Sequence, residues 1–365
     1  MARDYQFIDI AAKGDGIVAA AFDNQVAYCT ASGAAITARI VAALRDLIER
    51  DEPGALFDTL RTWPGAPLAD AVPLRIAGGI HALHLRGGEP ELARIYAGEA
   101  GIDDAAILAE LVSRREVALL PWLNGPPQTN EAGRSANFIA AMLWLADKGL
   151  PPRFQCLEIG SSAGINLMLD RYHYDLGGVQ VGPQPGAMRF KPEWEGDAPP
   201  AHAIEIVWAR GCDIAPVDLT DPAQALRLKA YIWPEHTVRF ERMEAAVAEA
   251  VRQAPDLVAM NAADFVEAEL ARPQEAGTTR LLMHSIVWQY VPEDQQDRVT
   301  AAMEAAGRRA TAERPLAWVS LEANRVMHVH EMTVRYWPGG EKPALVTRAH
   351  PHGAWIGWGG STRTV

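Results

Sequence analysis

The sequence predicts an α/β protein: a helical domain over residues 1–150, then a mostly parallel sheet over residues 151–365 that ends in an antiparallel hairpin. Three observations carry this. Before Pro151-Pro152, apolar residues recur at helical spacing and no segment alternates as a half-buried strand does. From Phe154 onward, short apolar runs alternate with helical patterns, as in a parallel sheet with helices on both faces. The tail replaces that alternation with strand-like runs on either side of Pro338-Gly339-Gly340, and an antiparallel end on a parallel sheet is common.

Taken in order, ITARIVAALRDLIER (36–50) puts Ile36, Ile40, Ala43, Leu44 and Leu47 on one helical face and stops at Asp51-Glu52-Pro53-Gly54. ADAVPLRIAGGIHALHLRG (69–87) is a second helical stretch, followed by PELARIYAGE and DDAAILAELVSRRE. ANFIAAMLWLADKG (136–149) reads as an amphipathic helix with Gly149 at its end and prolines beyond. The strands are FQCLEIG, IEIVWARGC (204–212), DLVAM (256–260), RLLMHSIVW (280–288) and LAWVSLEA (316–323). RFERMEAAVAEAVRQA, DFVEAELA and PEDQQDRVTAAMEAAGRRA are the helices between them. HEMTVRYW and ALVTRAH form the hairpin, and AWIGW is a further strand. The Gly- and Pro-rich stretch 174–203 is an insertion, read as an ordered surface loop or a lid.

Composition excludes several classes. The net charge is −12 and no Lys/Arg cluster occurs, so no nucleic-acid partner is expected. Cys29, Cys156 and Cys212 lie far apart without CxxC spacing, which argues against a disulfide framework and for a reducing compartment. MARDYQFIDI has no apolar run behind a basic head, and no apolar stretch reaches the ~18 residues of a membrane span, so a cytoplasmic protein is expected, with no membrane partner. His328 and His330, with Glu331, share a short segment, but a third ligand is not evident and no metal is expected.

The chemistry centres on LEIGSSAGINL (157–167), which has two readings. Gly160-x-Ser162-x-Gly164 spells a nucleophile elbow, with Ser162, Asp264 and His350 or His352 in hydrolase order. An elbow sits in mid-sheet after several strands, whereas here helical sequence precedes it. The other reading is a nucleotide-binding turn. Gly160 and Gly164 permit a sharp turn, and the N–H groups of the next helix start are expected to meet cofactor oxygens. Glu158 is a carboxylate at the end of an apolar strand, costly unless an N–H-rich turn or a cationic ligand partners it.

Glu158-Ile159-Gly160-Ser161-Ser162-Ala163-Gly164 resembles the first motif of class I S-adenosylmethionine (SAM)-dependent methyltransferases, acid-x-Gly-x-Gly-x-Gly, with Ser162 at the middle glycine. Through QTNEAGR, LEIGSSAGINL, RGCDIAPVDL, RLKAYIWPE, HSIVWQY and HPHGAWIGW, nearly the whole chain is similar to a bacterial family of unknown function with a methyltransferase-like core. The resemblance implies a Rossmann-like sheet and a SAM site formed by Glu158, Gly160, Ser161, Ser162, Gly164 and Asn166. Asp213, after the second strand, is placed to chelate the ribose diol, a role an NAD enzyme would also need. Asp264 in NAADF is placed against the adenine amino group or caps the following helix.

His284, on the fourth strand, is a candidate general base or a satisfied core histidine, and Ser285, Trp288, Gln289 and Tyr290 are candidate pocket residues. Gln128, Asn130, Glu131 and Arg134 are expected to cover the cofactor, with Glu131 or Arg134 at its amino-acid end. The alternative is a helix start capped by Thr129 or Asn130. The function expected is SAM-dependent methyl transfer to a small molecule, with the N-terminal helices closing the pocket and choosing the substrate. A catalytically inactive binding or regulatory protein is the main alternative, because Ser162 would crowd the cofactor; a serine hydrolase is the other.

Overall fold

A computed structural model describes residues 9–14, 16–324, 327 and 329–360; His328 lies outside the described residues. The elements in chain order are α1 (Ile17–Ala31), α2 (Ala35–Glu49), α3 (Ala55–Arg61), α4 (Val72–Arg86), α5 (Pro90–Tyr96), α6 (Asp104–Leu119) and α7 (Ser135–Asp147). Next come β1 (Arg153–Ile159), β2 (His173–Leu176), β3 (Val179–Val181), β4 (Arg189–Phe190), β5 (Glu193–Glu195), β6 (Glu205–Asp213), α8 (Pro222–Ala230) and α9 (Thr237–Arg252). The chain ends with β7 (Asp256–Ala259), α10 (Ala262–Ala271), β8 (Thr279–Ser285), α11 (Glu293–Gly307), β9 (Leu316–Asn324), β10 (Val329–Trp337), β11 (Gly340–Ala349) and β12 (Trp355–Trp358).

These elements form two compact units. One comprises Met1–Thr129 with Pro222–Glu241, the other Asn130–Asp221 with Arg242–Val365. The division therefore falls at 129/130 and returns residues 222–241 to the first unit, instead of a single cut at 150.

In the first unit, the stripe read from α2 is the buried one. Ile40, Leu44 and Leu47 join Phe22, Phe57, Leu60, Ile76 and Ile80 in one apolar cluster, as 3.6-residue periodicity requires. Segment 222–241 is tied in by Glu235, whose carboxylate accepts the N–H groups of Ile36 at 2.6 Å and Thr37 at 3.0 Å. A side chain far along the sequence thus caps α2, which has no side-chain cap of its own.

In the second unit, nine strands lie in the order β5-β12-β11-β10-β9-β8-β1-β6-β7. The run β9-β8-β1-β6-β7 is parallel throughout, β9 to β12 pair antiparallel, and β5 adds parallel to β12. In chain order the parallel run reads 3-2-1-4-5 from β7 to β9, so the winding reverses between β1 and β8. Ligands of open α/β sheets bind at the carboxyl ends of strands at such a reversal. Leu157, Ile159, Cys212, Leu282 and Trp318 pack with Phe265 and Val266 of α10 and Val299 and Met303 of α11. Side chains alternate along a strand, so Glu158 faces the opposite side of the sheet.

Three readings are corrected. Helix α7 is not amphipathic: eleven of its thirteen residues are buried, so it is a core helix. The stretch 174–203 is not wholly loop. It forms a three-stranded sheet, β3-β2-β4, with Tyr174, Leu176 and Phe190 buried, and supplies β5 to the edge of the large sheet. Strand β8 stops at Ser285, where Ile286 takes a left-handed backbone (φ 54°), and Trp288–Tyr290 forms a 3-10 turn. No described helix is long and apolar enough to cross a membrane.

Candidate functional site

The turn that follows β1 is held open by its glycines. Gly160 has φ 66°, and a Cβ there would stand 2.2 Å from Val287 Cγ2, so the glycine lets this turn meet the loop after β8. Ser162 also takes a left-handed backbone (φ 53°), a conformation that costs a non-glycine residue ~1–2 kcal/mol. The expected helix is a 3-10 segment, Ile165–Arg171, kinked at Met168.

Three N–H groups of the turn are engaged inside the protein. Ser161 N–H donates to Cys212 O (3.0 Å), Ser162 N–H to Asp213 Oδ2 (2.9 Å) and Gly164 N–H to Ser161 O (2.8 Å). The turn also offers acceptors. Glu158 is 2% exposed, and its Oε1 accepts Asn166 Nδ2 at 3.3 Å; Asn130 Nδ2 donates to Ser161 O at 2.7 Å. Among the described residues, Glu158 Oε2, Asn166 Oδ1, Asn130 Oδ1 and Ser162 Oγ are buried without a hydrogen-bond partner. Such atoms forfeit their hydration without replacement unless a ligand or water supplies donors. Burial pushes the Glu158 carboxyl up to about 7; Asp213 adds to the rise, while Ser161, Asn166 and Arg134 oppose it.

Asp213 ends β6 beside this turn, with Oδ1 accepting Ala215 N–H at 2.9 Å and Oδ2 accepting Ser162 N–H. Glu131, and not Thr129 or Asn130, caps the short 3-10 turn Ala132–Arg134 by accepting Gly133 N–H. It also pairs with Arg242 at 3.0 Å, and Arg134 Nε donates to Pro351 O. Gln128 belongs to the first unit.

Asp264 is exposed on α10 and binds Arg298 at 2.7 Å; the helix cap is Asn261, whose side chain accepts Asp264 N–H. The hydrolase residues are therefore not assembled. Asp264 is committed to Arg298 and Asn261, and Ser162 Oγ bonds to no histidine. Among the described residues, no group of three or more His, Cys, Asp or Glu is arranged to hold a metal ion.

His284 lies on the face that carries α10 and α11, opposite to Glu158, because it shares the side of β8 taken by Leu282. Its Nδ1 is 2.7 Å from Glu322 Oε1, and the same oxygen accepts the N–H groups of Val287 (3.2 Å) and Trp288 (3.3 Å). The ring stacks on Trp288 at 5.1 Å. These contacts make His284 and Glu322 a clamp that fixes the loop after β8 and, through Val287, the backbone at Gly160. Ser285 is buried at the strand end, Trp288 half-buried and Tyr290 72% exposed.

Sequence reasoning passed over Glu322 and Arg242. The signal for Glu322 was present: like Glu158, it is an acid near the end of an apolar strand, in LAWVSLEA. Arg242 had none, because an arginine on a polar helix face reads as solvated.

Neither the curated proteins nor the solved structures compared with the chain contain a match. A family model does match, over residues 19–358, and its span takes in the turn after β1, the end of β6 and the clamp: the chain belongs to the family described as "Uncharacterized protein conserved in bacteria (DUF2332)".

Proposed function

We propose that the turn after β1 binds SAM and that the second unit transfers its methyl group to a small molecule. One observation carries this reading: four buried oxygens without donors lie on and beside a glycine turn whose Ser161, Ser162 and Gly164 N–H groups are already used. That arrangement suits a cation that brings donors with it. The α-ammonium of SAM supplies three N–H groups, as a lysine ammonium does. A dinucleotide would present a diphosphate, which would find the Ser161, Ser162 and Gly164 N–H groups engaged and meet a buried carboxylate.

Glu158, Asn130 and Asn166 would hold the ammonium end, and Asp213 would take the ribose hydroxyls on the lone pairs left by Ser162 and Ala215. Bound SAM supplies a methyl group already activated by its sulfonium. The chain's task is then to orient the reactants and keep water away. The clamp of His284 and Glu322 serves that task by fixing the loop that backs Gly160. Ser162 favours the second reading, a protein that binds the cofactor without turnover, because its side chain stands where the related motif has glycine.

Isothermal titration of the full chain with SAM and with S-adenosylhomocysteine tests the proposal. Saturable binding of both is expected, tightening as pH rises through 7, because the cation binds ionised Glu158 better than the protonated form. Absence of heat with either compound would end the cofactor assignment. Binding without methyl transfer to any compound of a bacterial extract would favour the inactive protein.

A further inference from the structure

A polar concavity lies at the opposite end of the sheet from the turn after β1. It is open to solvent and offers about 140 Å3, room for roughly five waters. Its lining includes Arg272, Gln274, Arg280, Arg309 and Arg314, together with apolar side chains such as Leu270 and Leu316. Arg280 and Leu316 stand at the starts of β8 and β9, so the seven residues of β8, at ~3.3 Å each, separate this end from the turn after β1 by about 20 Å.

The four guanidinium groups are not equivalent. Arg280 is buried and its donors all go to protein: Gln155 Oε1 and the carbonyls of Glu269, Arg272 and Pro273. Arg272 pairs with Glu269 at 3.3 Å. Arg309 and Arg314 differ. Each donates one side-chain hydrogen bond to a carbonyl, of Ala305 and Gln274 respectively, and among the described residues neither pairs with an acid. The acids of neighbouring segments are engaged elsewhere, Glu269 with Arg210 and Arg272 and Glu275 with Arg153; Glu313 stands exposed outside the lining. The turn Thr311–Arg314 is closed by backbone hydrogen bonds in both directions, which fixes the base of Arg314. Two guanidinium groups with most of their donors unspent face one concavity, on a chain whose net charge is −12.

We infer that this concavity binds a small multivalent oxyanion. Arginine forks match the oxygens of phosphate and carboxylate in pairs, and the carbonyls of the α10 and α11 ends that would repel an anion are already covered by Arg280 and Arg309. The site is independent of the SAM reading.

The test titrates the full chain with inorganic phosphate, pyrophosphate and citrate at constant ionic strength, set with sodium chloride. Saturable binding is expected, tighter for pyrophosphate or citrate than for phosphate. Arg309→Ala with Arg314→Ala should weaken it at least tenfold and leave the circular dichroism spectrum and the thermal midpoint unchanged, since both side chains are exposed. No binding of any of the three anions, or binding that the double variant leaves intact, overturns the inference.

Discussion

Glu158 and Arg280 are both buried in the parallel run of the large sheet, 2% and 3% exposed, on adjacent strands. Around Arg280 every donor of the guanidinium finds an acceptor, and three of those acceptors are carbonyls at the end of α10 and just beyond it. Around Glu158, one carboxylate oxygen and three neighbouring oxygens are left without donors. The difference teaches that equal burial can leave a charged group in opposite states: Arg280 is fully satisfied by the fold, whereas Glu158 keeps hydrogen-bonding capacity that a ligand could use.

The comparison can be broken at either residue. The largest effect is expected at Arg280. Arg280→Ala strands Gln155 and three carbonyls and opens a hole in the sheet, so it should lower unfolding free energy by about 3–5 kcal/mol in urea denaturation. A loss below about 1 kcal/mol would mean that Arg280 is not a structural charge.

Glu158 should behave in the opposite sense. Between pH 4.5 and about 7 the folded chain keeps a proton on Glu158 that the unfolded chain has released. Stability must therefore fall as pH rises across that window, by roughly 3 kcal/mol in all at ~1.4 kcal/mol per pH unit. Glu158→Gln should remove this fall, leaving the variant the more stable protein at pH 8, while it binds S-adenosylhomocysteine more weakly. Parallel pH-dependent denaturation curves for the two proteins would contradict the assignment.

The smallest effect sharpens the picture at Ser162. Ser162→Gly relieves a left-handed serine and should raise the thermal midpoint by an amount equivalent to about 1 kcal/mol. Unchanged or tighter binding of S-adenosylhomocysteine by this variant would show that Ser162 is a local strain and not a ligand group; a loss of binding would make its orphaned hydroxyl part of the cradle.

Much of the fold was legible because the relevant signals are local. The stripe of α2, the apolar run of β1 and the alternation of strands and helices after Phe154 follow from periodicity, which a linear reading detects. The segment 174–203 was misread because its strands, β2 to β5, are two to four residues long and stabilised by Tyr174 and Phe190 packing on each other, a contact no window along the sequence contains. Residues 222–241 were assigned to the sheet domain for the same reason: what returns them to the first unit is Glu235 reaching α2 across nearly two hundred residues.

The candidate site divides in the same way. The sequence alone determined that Glu158, Gly160 and Ser162 form a turn after an apolar strand, since that needs only the chain's order and glycine's backbone freedom. Tertiary structure decided which polar groups of the turn are left over. The Ser161 and Ser162 N–H groups are taken by Cys212 and Asp213 of a neighbouring strand, and several acceptors are left open. Hydrogen bonds between strands depend on register, and register is set by the packing of the whole sheet, so the same eleven letters could have made a donor site or an acceptor site.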